Sequence, residues 1–159
     1  MKKLVVSLGT LAGLAALSAP SLASSVNYDA YVVNFRNSKN AQSQMLDQKL
    51  ASVLPHTANV EEVIIDTSTA AKWEKGAHEA FDRDIVPVFN KWVGLPGFAA
   101  VVDAQTKQVI GCVNPHLDPR QMANEIERMV RTSQGQAYLS NASTRSATVC
   151  PPAHNTPPK

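Results

Sequence analysis

The sequence predicts an α/β domain, and three observations predict it. Two β-branched runs, residues 31–35 (YVVNF) and 62–66 (EVIID), alternate with two stretches of helical periodicity. Residues 92–113 (WVGLPGFAAVVDAQTKQVIGCV) then carry a Gly-Leu-Pro-Gly turn, an apolar run, a polar turn and a second apolar run, the pattern of a hairpin entered through proline. After it, Leu117-Asp118-Pro119-Arg120-Gln121 opens a capped helix. The order is β-α-β-α-β-β-α. A helix joining the first two strands makes them parallel, and the hairpin adds two antiparallel strands. The expected product is a four-stranded mixed sheet with helices on both faces.

Taken in order, the chain opens with Lys2 and Lys3, an apolar run at 4–16, Pro20, and small residues at Ser21 and Ala23. This is the layout of an export signal, and cleavage is expected after Ala23. Residues 1–23 therefore fall outside the domain, and no Cys follows at a lipoprotein position, so no membrane anchor is expected after cleavage. The strand at 31–35 leads into a turn, Asn37-Ser38-Lys39-Asn40, which supplies caps for a helix over 40–53. Ala41, Met45, Leu46, Leu50 and Val53 are its expected buried stripe. The strand at 62–66 leads into Thr67-Ser68-Thr69, again a cap, and a helix from Ala70. Trp73, Ala77, Ala80, Phe81 and Ile85 recur at helical spacing, so Trp73, Phe81, Phe89 and Trp92 are assigned to the core. Pro87 lacks an N–H and reads as a kink in this helix or as the first position of a further short turn over 87–92. Strands follow at 98–102 and 108–113. The last helix shows Met122, Ile126, Met129 and Val130 on one stripe and runs to about Arg131. Residues 132–159 are rich in Ser, Thr, Asn and Pro and are expected to form an irregular tail. The Asn141-Ala142-Ser143 sequon is discounted beside a bacterial-type signal.

Charge excludes one class of function. The 159 residues hold 15 Lys and Arg against 13 Asp and Glu, and losing Lys2 and Lys3 leaves the two equal. With no basic block, nothing favours nucleic acid. The four histidines are scattered and no second cysteine pair exists at ligand spacing, so neither a metal nor a cofactor is expected. Cys112 and Cys150 read as one structural disulfide in an oxidising compartment, the competing reading being two unrelated thiols. His78, Glu79, Asp82 and Asp84 cluster on the second helix and read as a solvated face.

The element order, the Val33-Asn34-Phe35 strand followed by Met45, and Gly94-Leu95-Pro96 before the third strand together resemble the thioredoxin fold over about residues 29–131. In that family the loop proline is cis and faces the active site. The resemblance places the Cys-x-x-Cys positions on Asn40-Ala41-Gln42-Ser43 and the assisting buried acid on Asn34. Thiol–disulfide exchange needs a low-pKa thiolate at a helix N-terminus and a resolving thiol, and these residues offer neither. The resemblance thus implies a redox-inactive domain over 24–131, with a peptide-accepting groove around Arg36, Asn40, Ala41, Gln42, Ser43, Leu95 and Pro96. The expectation is a non-enzymatic periplasmic module that binds another envelope protein, with secretion and conjugation machinery as the partner classes suggested by fold-level analogy. The alternative is a periplasmic thiol–disulfide oxidoreductase or isomerase using Cys112 and Cys150. On sequence, Cys112 is set in the fourth strand, apart from the helix N-terminus that would stabilise a thiolate.

Overall fold

The computed structural model describes residues 27–57, 59–135 and 149–154. The export signal with its cleavage point, the Asn141 sequon, and tail residues 136–148 and 155–159 lie outside the described residues.

Four strands and four helices form an α/β sandwich: β1 (Ala30–Arg36), α1 (Ala41–Val53), β2 (Val60–Asp66), α2 (Ala70–Asp82), α3 (Val86–Trp92), β3 (Phe98–Asp103), β4 (Val109–Val113) and α4 (Pro119–Ser133). A short 3-10 turn, Leu54–His56, follows α1. The sheet order is β2-β1-β3-β4. β1 pairs with β2 in parallel and with β3 in antiparallel, and β3 pairs with β4 in antiparallel. Thus β3 alone runs against the other three. The mixed sheet and the single parallel pair are those the sequence predicts.

Alternation along β1 and β3 sorts the core into two layers. On one face Val32, Ala99 and Val101 meet Leu46 and Leu50 of α1 and Met122, Ile126 and Met129 of α4. On the other, Val33, Phe35, Ala100 and Val102 meet Ala80 of α2 and Val88, Phe89 and Trp92 of α3. Leu46, Leu50, Met122 and Ile126 are wholly buried, each stabilising the fold by about 1.5–3 kcal/mol.

Three helix starts follow the chemistry of their caps. The Asn40 side chain accepts the Ser43 N–H, and the Thr69 side chain accepts the Lys72 N–H. Asp118 and Gln121 form a reciprocal capping box with Pro119 at the first helical position. Pro87 likewise sits in the first turn of α3, where no intrahelical N–H is needed.

Four assignments to the core are corrected, the first being Ala41, which is exposed at the start of α1. Met45 is 47% exposed, because α1 turns Ser43, Leu46, Leu50 and Val53 inward. Trp73 and Phe81 are 47% and 73% exposed. The cause is the closeness of α2 to the sheet: a Cβ on Gly76 would lie 3.3 Å from the Ile65 Cα, so α2 packs through Gly76 and Ala80 and its bulky aromatics are displaced outward. Trp73 keeps an edge-on contact with the buried Phe89 ring at 5.8 Å. α4 also runs two residues past Arg131, into the segment expected to be irregular.

Candidate functional site

The C-terminal end of β1 delivers the chain to the N-terminus of α1, and the loop before β3 comes back beside it. Gly97 N–H donates to the Phe35 carbonyl at 2.9 Å, which pins this loop to the end of β1. Gly94 and Gly97 have φ of 88° and 98°, so both flanks of Leu95-Pro96 use backbone that other residues rarely adopt. The loop then touches α1: a Cβ on Gly97 would fall 3.0 Å from the Gln42 Cβ and 3.5 Å from Asn40 Oδ1. The resemblance implies a cis proline at this loop. The Leu95–Pro96 peptide is trans, and the two positive-φ glycines make the reversal instead.

A hollow of about 280 Å³ opens at this meeting point. Gln42 and Pro96 form one rim, and Phe98, Cys112 and Val113 lie across it. Asn114 and His116, after β4, and Val149 and Pro151, from the C-terminal segment, complete the lining. Among the described residues no carboxylate, lysine or arginine lines it. The partial positive charge of the α1 N-terminus and a set of neutral polar and apolar groups are its chemistry.

The sequence-predicted groove residues divide into two groups. Asn40 and Gln42 do meet the Leu95-Pro96-Gly97 loop. Ser43 does not face the groove. It is wholly buried, and its hydroxyl accepts the Asn37 N–H at 3.2 Å. Ala41 is exposed at the first position of α1 and does not line the hollow. Leu95 packs partly into the core layer beneath α3. Arg36 points elsewhere, since alternation along β1 puts it on the same face as Val32 and Asn34. There its guanidinium pairs with Asp47 at 3.3 Å and lies 3.5 Å from Asp66.

Arg36 lines a second hollow of about 480 Å³ beside β2 with Glu62, Ile64, Asp66, Lys72 and Arg83. Its charges are largely spent on each other. Lys72 reaches Asp66 at 3.1 Å, and Arg83 pairs with both Glu61 and Glu79. Burial pushes the Asp66 carboxyl up, but hydrogen bonds from the Ser68 hydroxyl and N–H and the Lys72 ammonium outweigh it, so the net direction is down. The buried Asn34 lies under this network. Its amide donates to Asp47 at 2.8 Å and to Glu62 at 3.0 Å.

Cys112 and Cys150 are joined as a disulfide. Sequence alone set Cys112 apart from α1. β4 ends beside the start of β3, so Cys112, in the fourth strand as expected, and Gln42 of α1 line one hollow. His116, Asn114 and Phe98 were missed for the same reason, as only the hairpin register brings residues 98 and 112–116 to one end of the sheet. Among the described residues no group of three or more His, Cys, Asp or Glu could hold a metal ion, and no helix is long and apolar enough to cross a membrane.

No family model, curated protein or solved structure matches this chain.

Proposed function

We propose that this chain is an exported, thioredoxin-like module without dithiol chemistry, which binds an extended segment of another envelope protein at the hollow beside Pro96. The observation that carries the reading is the junction of the α1 N-terminus with the Leu95-Pro96-Gly97 loop, where Asn40 and Gln42 meet the loop and the two positions that the resemblance gives to thiols are Asn40 and the buried Ser43. The strand order β2-β1-β3-β4 with β3 reversed supports the thioredoxin-like part. The Cys112–Cys150 bond is consistent with passage into an oxidising compartment. A neutral lining suits main-chain recognition, as an uncharged rim leaves backbone amides and apolar side chains as the complementary groups. Secretion and conjugation assemblies are the partner classes this reading favours, on fold-level analogy. The test is capture of envelope proteins by the wild type and by Leu95→Glu. The variant should lose the partner that the wild type retains, and equal recovery would refute the groove.

A second reading has its own observation. Cys112 lines the hollow, so the disulfide itself could exchange with a substrate thiol there. In that case the protein reduces or isomerises disulfides through Cys112 and Cys150. A reduction potential below about −300 mV marks a structural bond and removes this reading. Insulin reduction that disappears in Cys112→Ser would establish it and displace the first.

A further inference from the structure

We propose that residues 149–154 form a thiol-releasable strap that closes the hollow and covers an aromatic cluster, so that the Cys112–Cys150 bond sets how open the site is. Three of the segment's ties bear on its release. One is the disulfide. The second is a hydrogen bond from the Trp92 indole N–H to the Pro151 carbonyl at 3.0 Å. The third runs from the His154 N–H to the Lys91 carbonyl at 3.3 Å. The strap has no helix or strand of its own. A hydrogen bond contributes about 0.5–1.5 kcal/mol, against about 1–2 kcal/mol of backbone entropy for each of six residues ordered, so a few such bonds leave the covalent tie to decide whether the strap stays seated.

Beneath it, Trp92 is fully buried and meets Phe35 and Phe98 edge-on, with ring centroids 6.0 and 5.6 Å away. Val149 and Pro151 also wall the hollow. Losing the strap therefore removes one wall, frees the indole N–H and uncovers apolar surface next to Pro96.

The release is a two-electron exchange with a dithiol. Cys112 is 2% exposed whereas Cys150 is half-buried, so the attacking thiolate reaches the Cys150 sulfur. The Cys112 sulfur leaves with the bonding pair and takes up a proton. The second thiol of the reductant then displaces Cys150 from the mixed disulfide. The protein ends with two thiols and the reductant with one disulfide. The effect on a bound partner rests on the groove reading above, but the release itself does not.

The experiment uses the full mature protein carrying Trp73→Phe, which leaves Trp92 as the single tryptophan of the two in the chain. Dithiothreitol is added, thiols are counted by alkylation and mass spectrometry, and Trp92 emission, acrylamide quenching and far-UV circular dichroism are followed. The expected result is two alkylated thiols, a red-shifted emission, a severalfold rise in quenching, and an unchanged far-UV spectrum. Cys150→Ser should show the same open state without reductant. Four results would overturn the strap: no reduction of the folded protein, two thiols with Trp92 still shielded, collapse of the far-UV spectrum on reduction, or a folded Cys150→Ser variant with Trp92 still shielded. No partner is needed for these measurements, so the strap and the groove can fail independently.

Discussion

Replacing Gly97 with alanine should cost about 2–5 kcal/mol, and the loss has two separable parts. The first is conformational. At φ 98° an L side chain crowds its own backbone, which costs about 1–2 kcal/mol wherever the new atom points. The second is a collision between the new Cβ and the Gln42 Cβ at 3.0 Å, and overpacking of this kind costs about 1–3 kcal/mol. Only the second depends on α1 standing against the loop. Gln42→Gly removes the Cβ that is struck, at its own helix-propensity cost of up to about 1 kcal/mol. A double-mutant cycle should thus return a coupling of about 1–2 kcal/mol, with the double variant more stable than the two single losses predict. Urea unfolding by linear extrapolation measures all four proteins. Additive losses, within about 0.5 kcal/mol, would refute the close approach and with it the shared site.

Other outcomes follow from local geometry. Asp118→Ala removes the carboxylate that accepts the Gln121 N–H, leaves the backbone half of the capping box in place, and should destabilise by about 1 kcal/mol in thermal or urea unfolding, while an unchanged midpoint would refute the cap. Asp103 is also pushed up by burial, yet hydrogen bonds from Thr106, Ser133 and Gln105 take it below its ordinary 3.8. Asp66 and Asp103 both bind protons less readily folded than unfolded, so their stabilisation is present above about pH 4 and is lost as pH falls through their folded values. The urea midpoint should drop across that window, and less steeply in Asp103→Asn; equal slopes would count against the assignment. The disulfide closes a separation of 38 residues, which sets an upper value of about 4 kcal/mol for its loss. If the strap detaches, the native state also regains chain entropy, so the measured loss on reduction should fall below that value. Asn34→Asp should destabilise by more than 1 kcal/mol near neutral pH and by less at low pH, and a pH-independent effect would refute the reasoning developed below.

The fold was legible where one residue decides one local question. Asn40, Thr69 and Asp118 each announced a helix start because a short polar side chain can accept an N–H that the helix leaves open. The runs around Val32 and Val63 announced strands because β-branched and aromatic residues follow one another there and a polar capping stretch ends each run. Side-chain facing was less legible. Periodicity gave α2 a stripe through Trp73 and Phe81, but two small residues, Gly76 and Ala80, set the contact with β2. A hydrophobicity count weighs an aromatic above a glycine, whereas close packing favours the residue that lets backbones approach. The site was half legible. Asn40, Gln42 and Pro96 were placed together through the resemblance, and the structure brings α1 and the loop before β3 to the same end of the sheet. The place of Cys112 and His116 in that hollow depends on how far the β3–β4 hairpin extends, which includes an irregular step between Val101 and Val102. Arg36 was misplaced because strand alternation, not closeness in sequence to Asn40, decides which face it takes.

Position 34 sharpens the functional argument. By resemblance it is the place of a buried acid, and the neutral amide there could be read as mere loss. Its surroundings say more. The Asn34 amide nitrogen donates to two carboxylates, Asp47 from α1 and Glu62 from β2, in a site with no solvent exposure at residue 34. An ionised aspartate there could donate to neither, and it would add a third negative charge to two that already converge. Arg36 could offset only part of this, as its guanidinium is shared between Asp47 and Asp66. The neighbours are therefore arranged for a donor at 34, not for an acid. An acid that relays protons to a thiol must take on a negative charge, and the two converging carboxylates oppose a negative charge at that atom. The amide at 34, the cap at Asn40 and the buried hydroxyl of Ser43 each have a structural partner of their own. Restoring dithiol chemistry would require rebuilding those partners as well as supplying two cysteines, which supports reading the groove as a surface for binding.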